Sequence, residues 1–281
     1  MFHAFAAGYD PVLELAKASS ESNGGRIKRL EQEFIDSVID GKVVGEYLLL
    51  LGPKGVGKTT LLIEAMLRND ADGVAMMEAH EDAEVFRLRL GKCLEFEFNE
   101  DSFAGLFQRK DPREAGPLLD IERALNKLEK VAIRFRKERG RPLVLIFNNI
   151  HFVHDVRLLS LIFSRVITST EQDEDGHSLL HMLQQRAESW AAAGVCTMVF
   201  TSDDFHPYRH LKKSATRMRV LTVKDLTPIE THTFLSQRIA ANGGPSLDPS
   251  ISKEVWNLLG GRLSLLGTLT EQPHTSRWYT S

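Results

Sequence analysis

One stretch constrains this chain more than any other: Gly52-Pro53-Lys54-Gly55-Val56-Gly57-Lys58-Thr59. It meets the pattern G-x-x-x-x-G-K-[ST] at every fixed position. The residues before it, Glu46 to Leu51, read as a buried strand, and Thr59 to Leu67 reads as a helix. A strand that turns through glycines into a helix is the setting this pattern requires, and it commits the chain to an α/β arrangement.

Such a turn suits concentrated negative charge. A helix N-terminus offers unpaired backbone N–H groups and the positive end of a dipole. Glycines allow the main chain to wrap closely around phosphate oxygens, because no Cβ blocks positive φ. Lys58 is expected to reach the β- and γ-phosphates, and the Thr59 hydroxyl to ligate Mg²⁺. The expected ligand is therefore a nucleoside triphosphate, taken as ATP with Mg²⁺, cradled by Gly52, Pro53, Lys54, Gly55, Val56, Gly57, Lys58, Thr59 and Thr60. Lys54 lies inside the loop without being the motif lysine and is read as solvated.

Further along, Gly73 to Met77 reads as a second strand. A segment of alternating charge runs from Glu78 to Asp101. Leu118, Ile121, Leu125, Leu128, Ala132 and Phe135 mark one face of a long helix that Gly140 and Pro142 end. Continuous apolar runs give strands at Leu143–Phe147 and Val195–Phe200, with Val220–Val223 the last. Leu179, Leu183, Ala187 and Trp190 give the helix face between the first two of these. The alternation predicts a three-layer sandwich, a parallel sheet of five strands covered on both faces, with the ligand at the carboxyl ends of the strands. Before the first strand, Ile27, Leu30, Phe34 and Val38 recur at helical spacing, and residues 1–25 are expected to be flexible, Ser19 to Gly25 reading as a linker. The core is placed at 26–223 and a small helical lid at 224–266. In the lid Thr227-Pro228-Ile229-Glu230 forms a capping box, and a helix opening at Asp248-Pro249 carries Val255, Leu258 and Leu259 before Gly260-Gly261. Residues 267–281 read as an irregular tail.

A second feature bears on chemistry. In P-loop ATPases a strand placed like Leu143–Phe147 usually ends in acids, an Asp for the Mg²⁺ shell and a Glu that polarises water. Here it ends in Asn148-Asn149, a degenerate Walker B motif. Asparagine accepts a hydrogen bond from a metal-bound water but carries no charge and is no base at neutral pH. Losing a positioned base removes about two to four orders of magnitude in rate, so the pattern predicts binding without efficient hydrolysis. The other reading makes this an ordinary core strand with the carboxylate elsewhere; Glu78, Glu81 and Asp82 are then the nearest by topology, with His80 and His151 available to orient water or to serve structure. Thr201 or Ser202, followed by Asp203-Asp204, fits a sensor for the γ-phosphate and equally a turn or helix cap.

The loop, the Leu143–Asn149 strand, and a polar strand followed by Leu226-Thr227-Pro228 and Gly260-Gly261-Arg262 together resemble the AAA+/STAND class of P-loop ATPases, the archaeal-type ATPases and replication initiators in particular. Glu78-Ala79-His80, the run from Phe86 to Lys92, the run from Leu119 to Lys130, and Ala215-Thr216-Arg217-Met218 are similar to an uncharacterised fungal AAA-type family that usually carries a C-terminal winged helix. Gly260-Gly261-Arg262-Leu263 is also similar to the lid turn of mitochondrial-escape-type P-loop proteins. The resemblance spans Tyr47 to Leu266. It implies a lid arginine that senses the γ-phosphate, with Arg262 the candidate, and an arginine finger acting in trans at Arg217 or Arg219; surface solvation is the plain alternative for all three. Two departures stand out. Residues 156–172 read as an insertion, either a genuine apolar helix or a translated intron, and the winged helix is missing after Leu266.

Composition narrows the rest. The formal net charge of −3 over 281 residues does not favour indiscriminate nucleic-acid binding. Arg209, Lys212, Lys213, Arg217 and Arg219, and the stretch Lys127 to Arg141, leave it as a weaker reading beside ordinary solvated faces. Two cysteines, Cys93 and Cys196, make neither a disulfide framework nor a zinc site. No apolar run reaches membrane-span length. The absence of a basic residue before Lys17 argues against a presequence, and the expected setting is intracellular, cytoplasm or nucleus. Expected partners are the nucleotide, and a protein or further copies of the chain. An ATP-dependent switch is favoured over a motor or remodeller.

Overall fold

The computed structural model describes residues 1–20, 29–98, 116–153 and 172–271. Five strands, β1 (Tyr47–Leu51), β2 (Val74–Glu78), β3 (Leu143–Asn148), β4 (Cys196–Ser202) and β5 (Met218–Thr222), form one sheet in the order β2-β3-β4-β1-β5. All its pairings are parallel. The sheet, its five strands and its parallel sense are as the apolar runs predict. Every residue of β1, β3 and β4 is buried, which is why these segments lack the polar alternation of a half-exposed strand.

Strand alternation divides the core into two layers. Tyr47, Leu49 and Leu51 join Phe147 and Phe200 on one face. Leu48 and Leu50 join Val144, Ile146 and Val199 on the other. Helices α1 (Pro11–Ser20), α2 (Gln32–Ile39) and α3 (Lys58–Arg68) cover the second face. The first is covered by α4 (Ala83–Leu94), α5 (Pro117–Arg139) and α6 (Gln172–Ala193), with the short α7 (His206–Leu211) at its margin. Phe86, Phe147 and Phe200 stack in series on that face, with ring centroids 5.9 and 5.6 Å apart. Helix α5 buries Ile121, Leu125, Leu128, Ala132 and Phe135, the predicted stripe, and ends on Gly140 in the left-handed conformation.

After β5 come three helices where the sequence places a lid: α8 (Pro228–Ala241), α9 (Pro249–Leu259) and α10 (Leu263–Glu271). They close a separate small core of Leu226, Phe234, Leu235, Ile239, Leu247 and Leu266. The capping box is present in both directions, Thr227 Oγ1 accepting from the Glu230 amide and the Glu230 carboxylate accepting from the Thr227 amide.

Four expectations are corrected. The first part of the stretch read as flexible is built into the core: Phe5 and Leu13 are buried. Its backbone runs along the free edge of β2, where the Gly73 amide donates to Phe5 O (2.9 Å) and the Met76 amide to Asp10 Oδ2 (3.0 Å). Those bonds satisfy groups that an edge strand otherwise leaves open. Leu30 lies ahead of α2 and is exposed, because that helix begins only at Gln32. In α9 only Val255 of the expected face packs inward; Leu258 is 83% exposed, and Ile251 and the buried Ser252 take the inner side. The tail read as irregular from 267 continues as helix to Glu271. The stretch 156–171, from the expected insertion, and residues 272–281 lie outside the described residues.

Candidate functional site

The site assembles where the strands end and α3 begins. Gly55 and Gly57 hold φ of +84° and +100°, left-handed values that bend the loop into the helix at Lys58. Sheet register then aligns three strand ends. Glu78 of β2 sits opposite Asn148 of β3, and Phe147 opposite Phe200, so Asn148 falls beside Thr201 of β4. Met76, Ile146 and Val199, each two residues earlier, pack on the face that α3 covers. By strand periodicity, Glu78, Asn148 and Thr201 point to that same face.

Hydrogen bonds knit this row to the loop helix. Asn148 Oδ1 accepts from the Thr59 hydroxyl (3.2 Å) and from the Thr201 hydroxyl (2.7 Å). Thr201 Oγ1 in turn accepts from the Asn149 amide (2.8 Å). Asn149 is left-handed, a conformation asparagine tolerates, and its side-chain Nδ2 donates to Glu78 Oε1 at 2.8 Å.

Lys58 is only 4% exposed and fully engaged. Its Nζ donates to Gly52 O (2.6 Å), Pro53 O (3.1 Å) and Asp203 Oδ1 (2.5 Å). Asp203 also donates its backbone N–H to His151 Nδ1 (3.2 Å), and its second carboxylate oxygen lies 3.9 Å from His151 Nε2. A buried ammonium needs such acceptors, and a carboxylate within reach is the strongest of them.

The lid touches the loop directly. Arg262 Nε and Nη2 clasp Asp225 (2.5 and 3.1 Å), while its Nη1 donates to Lys54 O (2.9 Å). The Ser264 amide donates to Gly55 O (3.0 Å). A Cβ on Gly55 would land on the Ser264 side chain, so the glycine also permits this approach.

The structure thus gathers Lys58, Thr59, Asn148, Asn149 and Thr201, and brings Arg262 to the loop's carbonyl side. Ser202, the other sensor candidate, is not in the row: its hydroxyl donates to Asp204 O (2.5 Å) and shapes the turn. The strand runs on through both residues, where the sequence reading ended it at Phe200. Asp82 caps α4 by accepting from Val85 N, and His80 Nδ1 accepts from Asp82 N, so both serve that turn; Glu81 is exposed beside them. Arg219 pairs with Glu46 (2.9 Å) and lies over the Phe34 ring, and Arg217 donates to Gly45 O (3.3 Å). In the basic stretch Lys127 to Arg141, Arg134 pairs with Glu138, Arg136 donates to Gly194 O and Arg141, just past α5, pairs with Asp72. The signals overlooked in the sequence were Asp203, one residue past the sensor strand, and Asp225, the partner of Arg262.

Thr59 and Asn148 offer Mg²⁺ a hydroxyl and an amide oxygen, with no charge. Such a pair fits an ion that arrives with phosphates better than a resident one, since Mg²⁺ relies on carboxylates and substrate oxygens. Among the described residues no cluster of three or more His, Cys, Asp or Glu side chains forms a metal site. Both cysteines are free, and burial pushes the Cys196 thiol far up. Among the described residues no helix is long and apolar enough to cross a membrane.

A family model described as an AAA ATPase domain matches residues 25–198. The Walker-type ATPase PABY2304 of Pyrococcus abyssi is similar in fold, with a TM-score of 0.54 at 14% identity over 87% of this chain and 67% of that one. The structure of C. elegans PCH-2 aligns at a TM-score of 0.45 and 14% identity over 87% of this chain, which spans only 62% of that protein's length. No curated protein matches the sequence.

Proposed function

The chain belongs to the AAA ATPase domain family, and from that premise we propose that it is an ATP- and Mg²⁺-binding switch whose turnover is slow. The observation that carries this reading is the amide of Asn148, which ties the loop helix to the sensor strand through Thr59 and Thr201. It stands where a carboxylate would organise the metal and its water. In this reading Thr59 and Asn148 hold the Mg²⁺ that accompanies ATP, and the ion neutralises phosphate charge. Lys58 exchanges Asp203 for phosphate oxygens. The lid senses the exchange because Arg262 and Ser264 bind the loop's own carbonyls. Arg262, on the carbonyl side, is better placed to report loop shape than to touch the γ-phosphate.

The test is thermal and kinetic. ATP with Mg²⁺ raises the melting temperature by mass action, and Lys58→Ala abolishes the rise. With typical enzymes near 10 s⁻¹, loss of the usual carboxylates predicts turnover of about 0.1 s⁻¹ or less. No thermal shift in the parent chain would refute nucleotide binding; turnover at ordinary ATPase rates, lost in Lys58→Ala, would refute the slow switch. A working ATPase that remodels partners is the second reading, and one contact favours it: a carboxylate, Glu78, is held beside Asn149.

A further inference from the structure

We propose that Glu78, on the strand next to the one that usually carries the acid, is the group that activates water in this site, and that Asn149 is its positioning residue. The proposal rests on the reading that the loop binds ATP. Three observations carry it. Glu78 is the last residue of β2 and in register with Asn148, so the sheet itself brings a carboxylate alongside the amide that contacts Thr59. Its side chain shares the α3 face with Asn148 and Thr201 by strand periodicity. Asn149 Nδ2 holds Glu78 Oε1 at 2.8 Å, which fixes the carboxylate's orientation while its other oxygen keeps its acceptor capacity. Glu78 is exposed, as a group that must take a proton from water and release it has to be.

Of the other nearby acids, Asp82 is engaged in capping α4 and Asp203 in pairing with Lys58. Glu78 is thus the acid of the row whose side-chain partner is a neutral amide. The step balances with water alone. A Glu78 carboxylate oxygen takes a proton from water as the water oxygen bonds to the γ-phosphorus. The bond from that phosphorus to the bridging oxygen breaks, and its electron pair leaves with the nucleoside diphosphate.

The experiment uses the full chain and three readouts: the melting-temperature rise with ATP and Mg²⁺, phosphate release, and the identity of the nucleotide retained after incubation and rapid desalting. Glu78→Gln should keep the parental thermal rise, lose turnover about 100-fold, and retain ATP where the parent retains ADP. Asn149→Gly preserves the left-handed backbone and removes only the amide; it should lower kcat about tenfold with KM unchanged. If Asn149 served the turn alone, the glycine variant would match the parent, and its assignment as a positioning residue would fall. Parental phosphate release in Glu78→Gln overturns the proposal. So does a parent chain that binds ATP but releases no more phosphate than Lys58→Ala, an outcome that leaves the switch standing. A parent without any thermal rise removes both.

Discussion

Lys58 shows how a phosphate loop is stabilised when its ligand charge must come and go. An ammonium this buried needs compensation, and the chain supplies two loop carbonyls and one carboxylate. Phosphate oxygens would offer the charge that this carboxylate supplies, so in the proposed reading Asp203 competes with the nucleotide for Lys58. Asp203→Ala should weaken the ligand-free protein by about 1–2 kcal/mol, the worth of a charge-assisted bond. That is about 2–3 °C in melting temperature at this chain length. The rise on adding ATP and Mg²⁺ should be larger in the variant than in the parent, because no internal anion has to be displaced. An equal or smaller rise would mean that Asp203 does not compete. This residue escaped sequence reading because Thr201-Ser202-Asp203-Asp204 is equally good turn chemistry. Only the fold says that the turn lies over the loop lysine.

At the scale of elements, what was legible followed burial. β1, β3 and β4 are buried on both faces, so their apolar runs announce them without ambiguity. The capping box of α8 was readable because its chemistry is local, four residues long. The members of the site row were among the candidates, but which of them meet was not legible, since Glu78, Asn148 and Thr201 come together only through strand register, which no local pattern encodes. The start of α1 had a local signal in Asp10-Pro11, but the value of Asp10, which accepts from the Val12 and Met76 amides, lies in reaching the neighbouring strand. The edge strand β5 is held in a comparable way, from outside. Glu188 of α6 accepts from the Thr216 amide (2.8 Å), the Thr216 hydroxyl (2.5 Å) and the Arg217 amide (3.3 Å) just before β5 begins. Burial pushes the Glu188 carboxyl up, but these bonds outweigh it and hold the group below its ordinary 4.5. The sign follows: the ionised, bonded form stabilises the fold above that ordinary value, and the contribution is lost as pH falls through the lowered one. Glu188→Gln should melt a few degrees below the parent at pH 7, about 1 kcal/mol for the bonds weakened. The gap should narrow as the pH falls below that ordinary 4.5 and close once the pH has passed the lowered value. A gap that stays constant with pH would show the charge to be irrelevant.

For the molecule as a whole, the question is how a local exchange at Lys58 reaches a surface large enough for a partner to read. The lid has its own core, and among the described residues its polar contacts with the domain include Arg262 Nη1 to Lys54 O, the Ser264 amide to Gly55 O, and Arg29 to Lys224 O at 2.7 Å. Two of these end on loop carbonyls, so any ligand that fixes the loop also fixes the lid's anchor points. A small body attached this way opens at low free-energy cost, and coupling through its anchors changes how often it opens. Site-to-site couplings of this kind are commonly about 1–3 kcal/mol, or 5- to 150-fold. Amide hydrogen exchange measures that opening directly. With ATP and Mg²⁺, exchange in α8, α9 and α10 should slow within that range, while β1, β3 and β4, already protected by burial, should change little. Arg262→Ala removes the link to Lys54 without touching the phosphate side of the loop. It should therefore keep the thermal rise with ATP yet lose most of the added protection in the lid. If the variant's lid is protected by ATP as fully as the parent's, the arginine is not the coupling element and the lid moves independently of the loop. If the variant loses nucleotide binding altogether, Arg262 acts on the phosphates after all, as the family resemblance implied.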